Sequence, residues 1–192
     1  MTTKINQPFP KTYRQIEDAT RSSGFTMASE ELTCSLLRTL ARSKPSGRFL
    51  ELGTGTGLST SWILDGMDED SRLTSVDHDS RFQGIASSFL GNDHRLQLIC
   101  KDGGEWIEIN KPEKFDYIFA DTWHGKFLMM DETLNMLSKG AFYIIDDMLP
   151  QSNWPDGHAE KVRHLLEILE MRDDLSVTKQ SWATGIVIAV KK

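Results

Sequence analysis

The pattern of apolar and polar positions predicts helices and strands that alternate along most of the chain. Leu32, Leu36 and Leu40 recur at the spacing of one helix face, whereas short apolar runs such as 141–145 are typical of strands buried on both faces. The predicted helices are 13–23, 29–42, 59–67, 81–90, 104–109, 126–137 and 158–171. The predicted strands are 48–52, 73–76, 96–100, 117–120, 141–145, 176–179 and 185–190.

This order of elements predicts an α/β fold. Strands separated by helices imply right-handed crossovers, and so a mostly parallel seven-stranded sheet with helices on both faces. The last two strands have no helix between them, so we expect a C-terminal antiparallel hairpin at one edge. Ser29, followed by Glu31, is expected to cap the second helix.

The segment Glu51-Leu52-Gly53-Thr54-Gly55-Thr56-Gly57 follows the first predicted strand. Its alternating glycines predict a turn where backbone approaches a ligand closely, because glycine has no Cβ. The acid disfavours a phosphate, which prefers bare N–H groups at a helix N-terminus. A positively charged ligand is favoured, and S-adenosylmethionine, with a sulfonium and an ammonium, fits. A nicotinamide-dependent dehydrogenase would need a third glycine where Leu58 stands.

Acidic residues end five of the predicted strands. In an open α/β sheet, ligands bind beyond the carboxyl ends of the strands. Buried carboxylates are costly unless they are paired, so several at one edge imply cationic or hydroxyl-rich ligands, a metal, or both. These acids are Glu51, Asp77, Asp102, Asp121, Asp146 and Asp147.

Composition narrows the class of protein. The 192 residues, 39% hydrophobic and 26% charged, suit a single globular domain. A net charge of −6 argues against nucleic acid as a partner. Cys34 and Cys100 lack metal-binding spacing and are predicted to be buried free thiols. With no signal-peptide pattern and no apolar run near the ~20 residues of a membrane span, a cytoplasmic protein without a membrane partner is expected.

The chain resembles class I S-adenosylmethionine-dependent methyltransferases and, more narrowly, O-methyltransferases of the catechol and caffeoyl-coenzyme A type. The resemblance covers about residues 27–192, and its most specific pieces are 51–60, 76–77, 115–121 and 140–147. It implies a Rossmann-like fold that is a single domain overall. Residues 1–45 would form a helical cap or lid, and residues 46–192 the S-adenosylmethionine-binding catalytic domain.

The resemblance implies roles for the loop after the first strand. Gly53 and Gly55 would let the backbone approach the methionine part of S-adenosylmethionine. Ser59 would bind the carboxylate of that part, and Glu51 would support the loop on its acidic side.

Further cofactor contacts are implied at the next two strands. Asp77 would accept hydrogen bonds from both ribose hydroxyls, as a carboxylate can, and His78 would lie against the adenine. Asp102 and Gly103 would recognise the adenine edge, and Met27 begins a segment that would close over the cofactor. Turn or helix-cap roles for the aspartates, and a solvated loop position for His78, are the alternatives.

A divalent cation is implied at the last strand ends. Asp121, Asp146 and Asp147 match the family's metal ligands, although Asp147 stands where relatives have asparagine. Oxygen ligands favour Mg²⁺, Ca²⁺ or Mn²⁺. Asp121 is also expected to contact the cofactor and to take part in catalysis. The alternative is that Asp146 and Asp147 cap a turn.

The same loops carry candidates for catalysis and acceptor binding. His124 occupies the place of a lysine found in catechol-type relatives, with Lys126 two residues on, and imidazole can act as a general base near pH 7. A surface histidine is the alternative. Trp123, Met148 and Trp154 could wall a pocket for a flat acceptor, or pack under loops.

These features together predict an S-adenosylmethionine-dependent O-methyltransferase. Its acceptor would be a hydroxyl of a small, phenolic molecule, and a homodimer is left open. The alternatives are an N- or RNA-nucleoside methyltransferase of the same fold, or a non-catalytic protein that binds S-adenosylmethionine.

Overall fold

The structure, a computed structural model, describes residues 7–151, 154 and 156–192. Its strands are β1 (Arg48–Leu52), β2 (Arg72–Asp77), β3 (Leu96–Cys100), β4 (Phe115–Ala120), β5 (Leu137–Ile145), β6 (Leu175–Gln180) and β7 (Ile186–Lys191). Its helices are α1 (Tyr13–Ser23), α2 (Glu31–Arg42), α3 (Leu58–Gly66), α4 (Ser80–Leu90), α5 (Gly103–Asn110), α6 (Met130–Asn135) and α7 (His158–Glu170).

The strands form one sheet in the order β3-β2-β1-β4-β5-β7-β6. β1 to β5 run parallel, and β7 is antiparallel to both β5 and β6. This confirms the predicted α/β fold and the C-terminal hairpin. The strand order reverses between β1 and β4, which is where such sheets bind their ligands.

Alternating side chains of β1 enter cores on opposite faces of the sheet. Leu50 and Leu52 pack in a cluster with residues of α5, α6 and α7. Phe49 packs on the other face, in a cluster with residues of the first four helices such as Ile16 and Trp62. α1 contacts α3 and α4, and α2 contacts α3. The helices of the predicted N-terminal cap are thus part of the domain's own core.

The region around α6 differs from the prediction of a helix over 126–137. Gly125 and Met129 both have left-handed backbone, with φ values of +85° and +55°, so residues before 130 cannot continue a right-handed helix. α6 is therefore short. Leu137 is buried and begins β5 opposite Phe115, four residues earlier than the apolar run suggested.

Two local predictions are also wrong. The residue that precedes α2 is Glu30, without a side-chain cap, and Ser29 instead donates a hydrogen bond to Asp121. Both cysteines are free, but Cys34 alone is buried, because Cys100 ends the edge strand β3 and is exposed. Among the described residues, no helix is long and apolar enough to cross a membrane.

Candidate active site

The carboxyl ends of the parallel strands border a cavity of about 880 Å³. That volume lies within the range of roughly 300–1,000 Å³ of small-molecule sites. Hydrogen bonds hold neighbouring strand ends together here: the Gly53 N–H donates to the Val76 carbonyl, and the Asp121 N–H donates to the Leu52 carbonyl, both at 2.8 Å. The strand-end residues singled out from the sequence are therefore brought to one edge.

The glycine loop, residues 53–57, forms one wall of the cavity. Gly53 and Gly55 have φ values of +106° and +51°. A Cβ on Gly53 would lie 2.9 Å from the Asp121 carbonyl oxygen, and a Cβ on Gly55 would lie 2.9 Å from the Phe25 ring. Both the backbone conformation and the close approach of neighbouring segments require glycine at these two positions.

Glu51 lies behind this loop and is fully buried. Its carboxylate accepts hydrogen bonds from the hydroxyls of Ser59 at 2.7 Å, and of Thr60 and Ser75 at 2.6 Å. Burial raises the pKa of Glu51 to about 7, against the lowering effect of the three hydroxyls. Glu51 thus links β2 to the first turn of α3, in keeping with a supporting role. The hydroxyl hydrogen of Ser59 is used in its bond to Glu51.

Asp77 holds the loop from the cavity side. Its Oδ2 accepts from the Gly55 N–H at 2.7 Å, and its Oδ1 accepts from the Asp79 N–H at 2.9 Å. A carboxylate oxygen accepts about two hydrogen bonds, so each oxygen keeps capacity for a ligand hydroxyl. The neighbouring His78 borders the cavity with 79% of its side chain exposed.

The start of α5 forms the cavity end that the sequence assigns to adenine. Asp102 caps α5, because its Oδ1 accepts from the N–H groups of Gly104 at 2.9 Å and Glu105 at 3.0 Å. The backbone N–H of Glu105 is the main cause that lowers the pKa of Asp102, and His124 lowers it further. Asp102 and Gly103 both border the cavity. Asp102 therefore caps α5 and at the same time faces the space where a ligand would lie.

His124 lies at this same end of the cavity. Its Nδ1 is 3.8 Å from Asp102 Oδ2, and a Cβ on Gly103 would lie 3.0 Å from the His124 Cβ. The imidazole therefore packs against the predicted adenine site.

The acid cluster, Asp121, Asp146 and Asp147, lies at the ends of β4 and β5. Ser29 donates to Asp121 Oδ2 at 3.1 Å. Asp146 Oδ1 accepts from the Thr184 hydroxyl and from the Asp147 N–H. Burial, followed by the charge of Asp146, holds the pKa of Asp121 well above its usual range, and burial raises the pKa of Asp146 to about 6.

Lys126 places an ammonium beside these acids. The residue is 4% exposed and borders the cavity, and its Nζ donates to the Asp146 backbone carbonyl at 2.5 Å. Its charge lowers the pKa of both Asp121 and Asp146, against the larger effect of burial. Across residues 7–151, 154 and 156–192, no three His, Cys, Asp or Glu side chains are grouped to hold a metal ion. Asp121, Asp146 and Asp147, the metal ligands expected from the sequence, do not form such a group there.

Aromatic side chains border the cavity near Lys126. This aromatic wall comprises Trp123, Phe127, Trp154 and His158. Ring centroids lie 5.6 Å apart for Trp123 and Phe127, and 4.6 Å apart for Trp154 and His158. Trp123 and Trp154, which the sequence suggested for an acceptor pocket, both border the cavity. Met148 does not, because it is 7% exposed and packs in the core beside β5.

His158 is a site residue that the sequence did not reveal. Both ring nitrogens are buried, and neither has a hydrogen-bond partner within the described part of the chain. Burial lowers the pKa of His158, and the charges of Lys126 and Lys161 lower it further. This favours a neutral imidazole that can both donate and accept a hydrogen bond.

Residues between α1 and α2 border the cavity near the glycine loop. Met27 lies there as expected, with 69% of its surface exposed. Phe25 was not expected: its ring packs against Gly55 and lies 4.7 Å from the Phe82 ring. A single aromatic residue in the polar run Ser22-Ser23-Gly24-Phe25-Thr26 was the one available signal.

The sheet order, the glycine loop and the cavity at the strand ends together define a Rossmann-like class I methyltransferase fold. The methyltransferase domain family matches residues 50–148, slightly more than half of the chain. The chain belongs to this family.

Individual relatives agree with this assignment. A putative O-methyltransferase of Mycobacterium sp. (strain JLS) is 36% identical over 90 residues, which are 45% of this chain and 41% of that relative. A probable caffeoyl-CoA O-methyltransferase of Dictyostelium discoideum is 23% identical over 171 residues, 85% of this chain and 74% of the relative. The predicted resemblance to O-methyltransferases of the caffeoyl-CoA type is confirmed.

The fold is shared with solved structures of O-methyltransferases. The O-methyltransferase from Bacillus cereus, in complex with SAH, superposes with a TM-score of 0.84 at 18% identity. The match covers 98% of this chain and 94% of that one. Because helices and strands correspond along almost the whole chain, the predicted fold class is confirmed.

Proposed function

We propose that this protein transfers a methyl group from S-adenosylmethionine to a hydroxyl of a small, flat, phenolic acceptor. One observation carries the proposal: the glycine loop with Asp77 and the aromatic wall border the same cavity. The cofactor would lie along the glycine loop and Asp77, and the acceptor would lie against the aromatic wall. The Bacillus cereus O-methyltransferase with the same fold is in complex with SAH, the demethylated form of this cofactor.

The cofactor end supports this orientation. Asp77 would accept both ribose hydroxyls with the lone pairs that Gly55 and Asp79 leave free. The adenine would then reach Asp102, Gly103 and His124, and the methionine part would follow the glycine loop towards Asp121. Glu51 would act from behind the loop, because its oxygens are held by hydroxyls of the chain.

The acceptor end favours an aromatic molecule that carries hydroxyls. Trp123 and Phe127 offer flat apolar surface, and offset or edge-to-face contacts between rings add favourable energy. His158 adds two buried ring nitrogens with hydrogen-bonding capacity. Satisfying such groups is a strong source of specificity, because a ligand without a polar partner would leave them unpaired.

The reaction needs little beyond alignment and removal of one proton. The acceptor oxygen forms a bond to the methyl carbon while the sulfur–methyl bond breaks, and its electron pair stays on sulfur to give S-adenosylhomocysteine. Holding the oxygen in line with that bond supplies much of the rate. We propose His158 as the group that takes the hydroxyl proton, because it lies at the acceptor end.

His124, the base suggested by the sequence, lies beside Asp102 and is the competing candidate. His158→Gln should lower kcat for methylation of catechol strongly, whereas His124→Gln should chiefly raise the KM for S-adenosylmethionine. The reverse pattern would assign the proton to His124. Both substitutions keep a hydrogen-bonding side chain, which makes them matched.

The type of acceptor is tested with two molecules of the same shape. Catechol and ortho-phenylenediamine differ in whether oxygen or nitrogen attacks the methyl group. We expect methylated catechol, and little product from the diamine, when each is incubated with the protein and S-adenosylmethionine and analysed by mass spectrometry. Preference for the diamine would favour the N-methyltransferase alternative.

A further inference from the structure

We propose that Lys126 supplies from within the chain the positive charge that a divalent cation would otherwise provide, and that its ammonium holds the acceptor oxygen during methyl transfer. This inference rests on the proposed function, and it assigns a catalytic group for the same site. It is carried by the position of one buried lysine, whose ammonium contacts the backbone carbonyl of Asp146 in the acid cluster.

The ammonium is fixed where it can reach the cavity. Lys126 follows the left-handed turn at Gly125, whose N–H donates to the Leu128 carbonyl at 2.7 Å. This turn sends the lysine side chain inward, and the residue is 4% exposed although it borders the cavity. The Nζ donates to the Asp146 carbonyl at 2.5 Å and lies 5.2 Å from the centre of the Phe127 ring. The ammonium of Lys126 therefore contacts the acid cluster at Asp146 and lies near the aromatic wall at Phe127.

The ammonium of Lys126 keeps N–H groups that can bind a ligand. It carries three N–H groups, and one of them is used by the Asp146 carbonyl. Within the part of the chain that the structure describes, no carboxylate oxygen approaches Nζ within the 4.0 Å of an ion pair. An acceptor oxygen that enters the cavity can take one of the remaining N–H groups without breaking an ion pair.

Two carboxylate oxygens of the acid cluster have hydrogen-bond donors within the chain. Asp146 Oδ1 accepts from Thr184 and from the Asp147 N–H, and Asp121 Oδ2 accepts from Ser29. A divalent ion among these oxygens would also be repelled by the buried ammonium, and such repulsion is weakly screened away from water. The buried ammonium of Lys126 therefore disfavours a divalent ion beside these carboxylates.

The ammonium performs one part of the chemistry. A positive charge beside the acceptor hydroxyl stabilises the developing negative oxygen and so eases loss of the proton, which passes to His158 as proposed above. Lys126 keeps its own proton throughout. The oxygen then bonds to the methyl carbon as the sulfur–methyl bond breaks, so no metal is needed for the balance of charge.

Manganese binding separates this inference from the proposed function. Free Mn²⁺ gives an electron paramagnetic resonance signal that is lost on binding, so the purified, chelator-treated protein can be titrated without any acceptor. We compare the natural chain with Lys126→Gln and with Lys139→Gln. Lys139 is an exposed residue at the start of β5, so this control makes the same change in net charge away from the cavity.

The natural chain and Lys139→Gln should leave the free Mn²⁺ signal unchanged, whereas Lys126→Gln should bind the ion, because the substitution removes the buried ammonium that repels a cation from the acid cluster. Stoichiometric binding of Mn²⁺ by the natural chain would overturn the proposal. Absence of binding by a Lys126→Gln protein that still binds S-adenosylhomocysteine would overturn it as well. That second ligand also shows whether the variant has folded.

Activity provides the second readout. With catechol as the acceptor, the natural chain should turn over equally with and without EDTA. Lys126→Gln should lose roughly 100-fold in kcat, the usual cost of one preorganised donor, with little change in the KM for S-adenosylmethionine, and Lys126→Arg should keep part of the rate. Loss of the natural chain's activity in EDTA would contradict the proposal, whereas failure to methylate any acceptor would count against the proposed function alone.

Discussion

The Oδ2 atom of Asp77 accepts a hydrogen bond from the backbone N–H of Gly55 at 2.7 Å. The residue proposed to bind the ribose therefore also fixes the glycine loop proposed to bind the methionine part. Its other oxygen accepts from the Asp79 N–H at the start of α4. One carboxylate thus sets the relative positions of the two halves of the proposed cofactor site.

Replacing this carboxylate should weaken cofactor binding. Asp77→Asn keeps the shape of the side chain but replaces one carboxylate oxygen by an NH₂ group. That group would face the N–H of Gly55 or Asp79, donor against donor, and the neutral amide would lose a charge-assisted hydrogen bond to the ribose. Such bonds contribute about 1.5–3 kcal/mol, so the Kd for S-adenosylhomocysteine should rise roughly tenfold to a hundredfold in calorimetry. Asp70→Asn, at an exposed turn, makes the same charge change and should leave the Kd unaltered. Equal affinities in all three proteins would remove Asp77 from the site.

A methyl group on the glycine loop should damage both stability and binding. Gly53→Ala places a side chain at a φ of +106° and 2.9 Å from a backbone oxygen of Asp121. We expect a loss of about 2 kcal/mol or more in the free energy of unfolding, together with weaker binding of S-adenosylhomocysteine.

Gly84→Ala is the matched control, since Gly84 lies inside α4 and a Cβ there meets nothing within 4 Å. It should stabilise the protein by roughly 0.5–1 kcal/mol, because alanine is the better helix former. Urea unfolding measures both changes, and a Gly53→Ala protein as stable as the natural chain would contradict the described loop geometry.

Burial of Glu51 should make stability fall as pH rises. The pKa of Glu51 is raised from 4.5 to about 7 in the folded protein. Between these two values the folded state keeps a proton that the unfolded state has released, so raising the pH favours unfolding. The contribution is fully present below pH 4.5, is lost through pH 7, and amounts to about 3 kcal/mol.

Glu51→Gln isolates this contribution, because glutamine does not titrate. Urea unfolding of both proteins across this pH window should show the natural chain losing stability relative to the variant as the pH rises. Taking the difference removes the contributions of other titrating groups that the two proteins share. A difference that does not change with pH would show that Glu51 has an ordinary pKa.

The aromatic wall should govern acceptor binding and leave cofactor binding alone. Trp123→Ala removes a ring that borders the cavity, so the KM for catechol should rise roughly tenfold, with the KM for S-adenosylmethionine unchanged. Trp182 is similarly exposed, at 38% against 42%, and is absent from the cavity lining within the described residues. Trp182→Ala should therefore have little effect on either KM, and equal effects of the two substitutions would place the acceptor elsewhere.

Periodicity was enough to predict the sheet and most of its helices, because buried parallel strands leave unmistakable apolar runs. β1, β4 and the end of β5 are such runs, and each carries an acid at its end or directly after it, at the cavity edge or in the layer behind it. The prediction failed around α6, where the left-handed turns at Gly125 and Met129 interrupt a helical pattern that the sequence continues.

Side-chain partners across the fold could not be predicted in the same way. The bond from Ser29 to Asp121 joins residues 92 positions apart, so the local capping pattern at Ser29 was misleading. Lys126 was noted in the sequence as a neighbour of His124, but its burial depends on the turn at Gly125. His158 begins α7 and contacts the cavity because that helix packs beside residues 123–127.

Calorimetric titration of the natural chain with S-adenosylmethionine and, separately, with NAD⁺ tests the central claim most directly. We predict one S-adenosylmethionine bound per chain and no heat of binding with NAD⁺. The acid Glu51, buried behind the glycine loop, disfavours the phosphates of NAD⁺, and Asp77 keeps the capacity to accept ribose hydroxyls. A protein that is folded by circular dichroism and does not bind S-adenosylmethionine would contradict the account.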